Sequence, residues 1–134
     1  MKTWSARSMK NMDGIHPDLR RVLDRALQDS PVDFVVIEGL RTKTRQAELF
    51  AKGASKTMKS RHLTGHAVDL VPLLDLDGDG KIETHEMFNW PLMRKLAPHL
   101  KAAAKAVNVP IEWGGDWTTF PDGPHWQLPV KAYP

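Results

Sequence analysis

The sequence of 134 residues contains no cysteine. Neither a disulfide framework nor a thiolate metal site can be built, so any bound metal must use histidine, aspartate or glutamate. Long hydrophobic runs are missing as well, since no stretch approaches the length of a membrane span. Residues 1–14 carry charge but lack the apolar core of a signal peptide. We therefore expect no membrane insertion and no secretory signal.

The length of the chain suits one domain, 1–134, with a single hydrophobic core. The net charge of +3 favours approach to anionic polymers, either nucleic acid or cell-wall material. However, the basic residues are dispersed, and the densest cluster, residues 52–61, has no interleaved aromatic side chains. That composition favours a solvated loop over a nucleic-acid surface. We expect a monomer without a nucleic-acid partner.

The spacing of apolar residues predicts an α+β fold in which helices flank a small antiparallel sheet. Residues 1–14 lack periodicity and are expected to form a loose arm. A proline at position 98 should kink or divide the last helix. The predicted helices run from Pro17 to Ser30, from Thr42 to Gly53 and from Pro91 to Val107, and the predicted strands cover residues 34–37, 66–71, 111–113 and 125–128.

The richest concentration of metal-binding side chains lies in residues 60–69. Asp69 falls within an otherwise apolar strand, where an ionised carboxylate is costly unless a cation or another partner neutralises it. If the strand alternates, His62 reaches the same face from the preceding turn. The alternatives are a surface histidine beside a salt-bridged aspartate, or a metal pair of His62 and His66 at helical spacing. The second alternative is weaker because residues 63–65 form a poor helix.

The C-terminal part of the sequence offers a third ligand and a base. A hydrolytic zinc site uses three protein ligands and one open position, and His125 begins a predicted strand. Asp122 precedes it by three residues on a stiff Gly-Pro connection, which suits a general base beside the attacking water. Asp116 competes for this role, but the short link to His125 favours Asp122.

Four motifs together resemble those of a known enzyme family. The pattern SxHxxGxAxD at residues 60–69, followed by DxPHW at 122–126, resembles the VanY-type zinc D-alanyl-D-alanine peptidases. The segment EGLRT at 38–42 is similar to the strand-to-helix arginine motif of that family. The segment WGGDW at 113–117 is similar to the branch of phage L-alanyl-D-glutamate peptidases, which are endolysins. The resemblance covers residues 16–130.

This resemblance implies a fold like that of Hedgehog and D-Ala-D-Ala peptidase domains. It also implies a zinc enzyme that cuts peptidoglycan stem peptides, at the L-Ala–D-Glu bond, after release from the host cytoplasm to the cell wall. A D,D-carboxypeptidase of the same family is the alternative, although its dipeptidase branch has a glutamate in place of the aspartate. The implied roles are zinc ligation by His62, Asp69 and His125, catalysis by Asp122, oxyanion or carboxylate binding by Arg41, and substrate binding by Ser60.

The acidic segment 75–86 follows the spacing of an EF-hand calcium loop, with glycine at the position of the sharp turn. Because it begins six residues after Asp69, we expect bound calcium to order the strand of that ligand and make activity calcium-responsive. The alternatives are an acidic turn without an ion, or a non-catalytic calcium-binding interaction module. The predicted calcium ligands are Asp75, Asp77, Asp79, Lys81, Glu83 and Glu86.

Overall fold

Four short strands form one antiparallel sheet in the computed structural model, which describes residues 2–53, 60–73 and 88–134. The strands are β1 (Phe34–Glu38), β2 (Ala67–Pro72), β3 (Glu112–Trp113) and β4 (His125–Gln127). Their order across the sheet is β1-β2-β4-β3, and all three neighbouring pairs are antiparallel. The predicted α+β class with a small antiparallel sheet is therefore confirmed.

Within the described residues, four helices accompany the sheet: α1 (Ala6–Met12), α2 (Pro17–Asp29), α3 (Lys43–Ala51) and α4 (Trp90–Ala106). Helix α3 begins as the sequence predicts, because the side chain of Thr42 accepts a hydrogen bond from the backbone nitrogen of Arg45. Pro98 lies within α4 but does not divide it. Two short 3-10 helices, Arg61–Thr64 and Gly114–Asp116, lie directly before β2 and after β3.

The core lies between the sheet and the pair α2 and α4. The apolar face of α2 is fully buried and packs against α4, as its periodicity predicts. From β2, Val68 and Leu70 contribute to this core, whereas the side chains between them point to the opposite face. That opposite face carries the polar residues described below.

The expected loose arm over residues 1–14 is wrong, because residues 6–12 form α1. Its side chains serve the edge strand β1: the hydroxyl of Ser8 accepts from the backbone nitrogen of Val36 at 3.0 Å, and the amide of Asn11 donates to the carbonyl of Val36 at 2.8 Å. Met12 is buried in the core. Polar residues that hydrogen-bond to the edge of a strand produce no apolar period, so the sequence carries no periodic signal for this helix.

Among the described residues, no helix has the length and hydrophobicity needed to cross a bilayer. The predicted calcium ligands of segment 75–86 lie outside the described residues.

Candidate metal centre

Three side chains converge on the outer face of the sheet. Strands β2 and β4 pair so that Asp69 lies directly opposite His125. The 3-10 helix before β2 supplies His62, and its first turn is capped by the hydroxyl of Ser60, which accepts from the backbone nitrogen of His62 at 3.2 Å. One donor atom from each of the three residues lies within 4.8 Å of the other two. The structure thus brings together the three predicted ligands.

Gly65 makes the tight connection between the 3-10 helix and β2. Its φ of 74° is left-handed, and a Cβ there would lie 2.6 Å from the backbone oxygen of Gly14. A hydrogen bond joins the two backbone segments at this close approach, because the nitrogen of His16 donates to the carbonyl of Gly65 at 2.8 Å. This turn sets the angle at which His62 approaches Asp69.

The distances indicate which ring nitrogens face the centre. Nε2 of His62 lies 3.3 Å from Oδ1 of Asp69, and Nδ1 of His125 lies 3.4 Å from the same oxygen. The other nitrogen of His62, Nδ1, is 2.9 Å from the carbonyl oxygen of Gly39. A carbonyl can only accept, so this nitrogen carries the proton and Nε2 presents its lone pair to the centre.

The ring of His125 is oriented in the same manner. Its Nε2 lies 2.7 Å from Oε1 of Gln127, while the amide nitrogen of Gln127 donates to Glu112 at 3.1 Å. The amide oxygen of Gln127 therefore accepts from Nε2, and Nδ1 of His125 is left as a lone pair directed at Asp69. Hydrogen bonds of this kind, on the far side of each imidazole, are typical of histidines that ligate metals.

The centre favours a cation. With both imidazoles neutral, Oδ1 of Asp69 is buried without a hydrogen-bond partner and faces two nitrogen lone pairs. Burial raises the pKa of Asp69, but the hydrogen bonds and the positive charge that protonated His125 and His62 would offer lower this pKa by more, to well below its usual range. Burial likewise lowers the pKa of His125, and the carboxylate of Asp69 more than reverses that change. A metal ion bound by the three groups would supply the positive charge that the buried carboxylate requires.

Arg41 holds the other side of Asp69. Its guanidinium is buried and forms two parallel hydrogen bonds to Glu38, at 2.8 and 2.7 Å, and one to Gln46 at 2.7 Å. Its Nη2 also lies 3.6 Å from Oδ2 of Asp69. A register shift in β1 after Val36 brings Glu38 opposite Asp69. The arginine therefore occupies one carboxylate oxygen and leaves Oδ1 to the histidines.

The backbone around Asp122 is held beside the three ligands by hydrogen bonds at three consecutive residues, 122–124. The nitrogen of Asp122 donates to the carbonyl of Gly114 at 2.9 Å, Trp113 Nε1 donates to the carbonyl of Gly123 at 2.7 Å, and the nitrogen of Leu70 donates to the carbonyl of Pro124 at 2.9 Å. Burial and the nearby charge of Asp69 raise the pKa of Asp122. The backbone that carries this carboxylate is thus fixed at three points, and the carboxylate is more basic than an exposed aspartate.

The three ligands, His62, Asp69 and His125, border one open cleft of about 590 Å³, which Ser60, Arg41 and Asp122 also line. Asp116 lies elsewhere: it is exposed and pairs with Lys101 at 2.6 Å. His66 does not line the cleft either, since its Nδ1 contacts the hydroxyl of Thr64 at 2.6 Å and its ring packs between other aromatic groups. The geometry favours Asp122 over Asp116 as the group next to the ligands.

Sequence reasoning missed three residues that orient the site: Gln127, Glu112 and Gly114. The signal for Gln127 was present, because a residue two positions after His125 in a strand shares its face. No comparable signal exists for Glu112, which reaches Gln127 only through the pairing of β3 with β4. Position 114 requires glycine because the backbone of Asp122 approaches it closely: a Cβ there would lie 2.4 Å from the carbonyl oxygen of Asp122.

Comparison with known proteins gives a consistent result. The sequence profile of the phage L-alanyl-D-glutamate peptidases matches residues 2–127. The L-alanyl-D-glutamate peptidase of Escherichia phage T5 is 31% identical over 118 residues, covering 86% of this chain and 81% of that protein. That of Listeria phage A118 is 33% identical over 132 residues, covering 96% of this chain but only 43% of that protein, so the chain spans less than half of its length.

A solved structure shows the same fold. The crystal structure of the Serratia marcescens L-Ala D-Glu endopeptidase ChiX matches with a TM-score of 0.84 at 44% identity, covering 98% of this chain and 92% of that one. The profile match covers nearly the whole chain and includes all three converging residues, His62, Asp69 and His125. The chain therefore belongs to the phage L-alanyl-D-glutamate peptidase family.

Proposed function

We propose that this protein is a zinc-dependent endopeptidase that hydrolyses the L-Ala–D-Glu bond of peptidoglycan stem peptides. One observation carries the proposal: the buried, unpartnered Oδ1 of Asp69 faces the lone pairs of His62 and His125 in a cleft that also holds Asp122. The relatives from Escherichia phage T5 and Listeria phage A118 are named as peptidases for this bond. Their similarity supports the same substrate here.

The spacing of the ligand atoms supports zinc. Zinc binds nitrogen and carboxylate oxygen at about 2.0–2.2 Å in a tetrahedron, in which neighbouring ligand atoms lie roughly 3.3–3.6 Å apart. The two distances from Oδ1 of Asp69, 3.3 Å to His62 and 3.4 Å to His125, agree with that value. Two imidazoles and one carboxylate at the edge of an open cleft form a donor set that is typical of catalytic zinc.

Peptide hydrolysis needs an electrophile, an activated water and a proton for the leaving amine. When bound, zinc supplies a Lewis acid that polarises the scissile carbonyl and makes water more acidic. We assign the proton transfers to Asp122, whose raised pKa suits a base that accepts a proton from water and then delivers it to the amine nitrogen. The hydrogen bonds to residues 122–124 keep this carboxylate in position between the two steps.

Arg41 and Ser60 have supporting roles in this proposal. Most donors of Arg41 are used by Glu38 and Gln46, so its main effect is to fix Asp69 and add positive charge beside the developing oxyanion. Ser60 lines the cleft and caps the 3-10 helix with its oxygen, which leaves its hydroxyl proton to donate to a substrate carbonyl or carboxylate.

The biological setting follows from the substrate. We propose that the protein acts as a monomeric endolysin on the bacterial cell wall, after synthesis in a host cytoplasm and release by a separate agent. The net charge of +3 favours association with the anionic envelope.

Digestion of purified peptidoglycan tests the proposal directly. Fragments analysed by mass spectrometry should carry a new free carboxyl on L-Ala and a new amine on D-Glu, and chelation should stop their formation until zinc is restored. Release of terminal D-Ala instead would identify the D,D-carboxypeptidase alternative. Fragmentation that persists after complete metal removal would contradict the zinc mechanism.

We further propose that segment 75–86 binds one calcium ion through Asp75, Asp77, Asp79, Lys81, Glu83 and Glu86. The support is the EF-hand spacing of these residues in the sequence, together with the six-residue distance to Asp69. With zinc retained, titration of calcium should raise both the thermal stability and the hydrolysis rate. If neither changes, the segment is an acidic turn without a regulatory ion.

A further inference from the structure

Three aromatic side chains contribute to the lining of the cleft, and we call them the aromatic wall. They are Phe88, Trp117 and Phe120, and the metal-binding residues line the same cleft. Phe88 and Phe120 are unusually exposed for phenylalanine, at 44% and 61%. Trp117 connects this aromatic wall to the metal centre, because its ring packs on that of His125 with centroids 5.0 Å apart. The wall is therefore continuous with the proposed catalytic site.

The backbone at Phe120 is held in an unfavourable conformation. Its φ of 51° is left-handed, a region in which a bulky residue is an outlier. Phe120 also precedes Pro121, and a residue before proline is normally extended. Strain of this kind costs on the order of 1–3 kcal/mol and is found where the surrounding structure imposes it, often in ligand-binding regions. Here it accompanies a ring exposed at the cleft.

Other residues of the cleft have different chemistry. The lining also includes Glu38, Arg41, Ser60 and Arg61, which are charged or polar, and Arg41 lies beside Asp69. A stem peptide beginning L-Ala-D-Glu offers carboxylates, amides and a single methyl group near the scissile bond, and these suit the polar residues. It offers no group large and flat enough to cover an aromatic wall. In peptidoglycan the nearest group of that kind is the sugar attached to the amino end of L-Ala.

We propose that Phe88, Trp117 and Phe120 form a subsite for the sugar ring that precedes the stem peptide, which we call the sugar subsite. An aromatic face carries partial negative charge and favours the slightly positive C–H groups on one face of a pyranose ring. The inference rests on the proposed function, since it takes the L-Ala–D-Glu bond to lie at the metal centre. It assigns the direction of the substrate: the glycan lies toward Phe120, and the peptide lies toward Arg41 and Ser60.

Two substrates that differ only in the sugar test this assignment. One is a disaccharide-tetrapeptide, and the other is the same tetrapeptide with an acetyl group on L-Ala, which preserves the amide without the sugar. Phe120→Ala removes the ring but keeps the Cβ, so the residue at position 120 remains under the same steric strain at a φ of 51°. It should raise KM for the disaccharide-tetrapeptide about three- to tenfold, with kcat little changed, and leave KM for the acetyl-tetrapeptide unaffected.

Two further variants complete the experiment. Phe120→Trp retains an aromatic face and should keep the preference for the sugar-bearing substrate. Phe50→Ala is the matched control, because Phe50 is 47% exposed on α3 but does not line the cleft, and it should change neither KM. An equal rise in KM for both substrates in Phe120→Ala would assign the wall to the peptide and overturn the sugar subsite, as would no rise for either. If wild-type protein cleaves neither substrate, the proposed function fails and the sugar subsite fails with it.

Discussion

Nε2 of His125 donates to Oε1 of Gln127 across 2.7 Å, and both residues lie on the same face of β4. The amide nitrogen of Gln127 donates in turn to Glu112 on β3, at 3.1 Å. An amide group whose nitrogen is already committed to a carboxylate can offer only its oxygen to the imidazole. The three-residue chain therefore fixes both the ring orientation of His125 and the nitrogen that faces the metal centre.

Replacing Gln127 with leucine should weaken metal binding without unfolding the protein. Leucine has a similar size but cannot accept the Nε2 proton, so the imidazole of His125 loses its fixed tautomer. Loss of such a supporting hydrogen bond typically costs about 10–100-fold in metal affinity. Competition with a chromogenic zinc chelator measures this directly. Glu112→Gln is the control, since it still offers an oxygen to Gln127 and should retain near-normal affinity.

The roles of the two candidate bases can be separated by paired substitutions. Asp122→Asn keeps the backbone hydrogen bond to Gly114 and should retain zinc, but it removes the proton acceptor, so kcat should fall by about 10²–10⁴-fold. Asp116→Asn breaks only an exposed ion pair with Lys101 and should leave kcat within about twofold. Steady-state kinetics with parallel zinc analysis distinguishes them. A large loss in Asp116→Asn with normal turnover in Asp122→Asn would reverse the assignment.

The parts of the site that lie close together in the sequence were predictable, whereas the parts joined by contacts between distant segments were not. His62 and Asp69 are close in sequence, and an ionised side chain in an apolar strand indicates a partner, so the ligands were recognisable. Asp122 was recognisable from its short link to His125. By contrast, α1 and Glu112 depend on contacts between distant segments: α1 satisfies an edge strand, and Glu112 reaches the site through strand pairing. Contacts of this kind leave no local period in the sequence.

Metal binding should be visible as thermal stability. A ligand that binds only the folded state, at a concentration of about 1,000 times its Kd, stabilises the folded state by about 4 kcal/mol. For a domain of this size, that stabilisation raises Tm by roughly 10–20 °C. Wild-type protein should show this rise when zinc is added to the metal-free form. His62→Ala should abolish it, because one of the three ligands is lost.

His66→Ala is the matched control for that measurement. This histidine lies four residues from His62 but outside the cleft, against Thr64 and Tyr133. Its replacement should leave the zinc-dependent rise in Tm intact. If His66→Ala removed the rise as completely as His62→Ala, the alternative metal pair of His62 and His66 would be correct.

Gly114 determines where Asp122 lies, and adding a single methyl group should displace it. A Cβ at Gly114 would lie 2.4 Å from the carbonyl oxygen of Asp122 and 3.0 Å from Cβ of His125, so the segment 122–125 must shift. Crowding of this kind costs about 1–3 kcal/mol in stability. A shift on the order of 1 Å in a catalytic group lowers kcat by about 10²-fold. Gly114→Ala should therefore lose turnover while it remains folded by circular dichroism.

Gly53→Ala separates this effect from simple loss of stability. Gly53 has a φ of 73°, so alanine there is strained by about 1–2 kcal/mol, but nothing lies within 4 Å of the added Cβ. The variant should melt earlier than wild type and keep its kcat. If Gly114→Ala also kept its kcat at an equal loss of Tm, the contact with Asp122 would have no part in catalysis, and the carboxylate would have to be positioned by the hydrogen bonds at Gly123 and Pro124 alone.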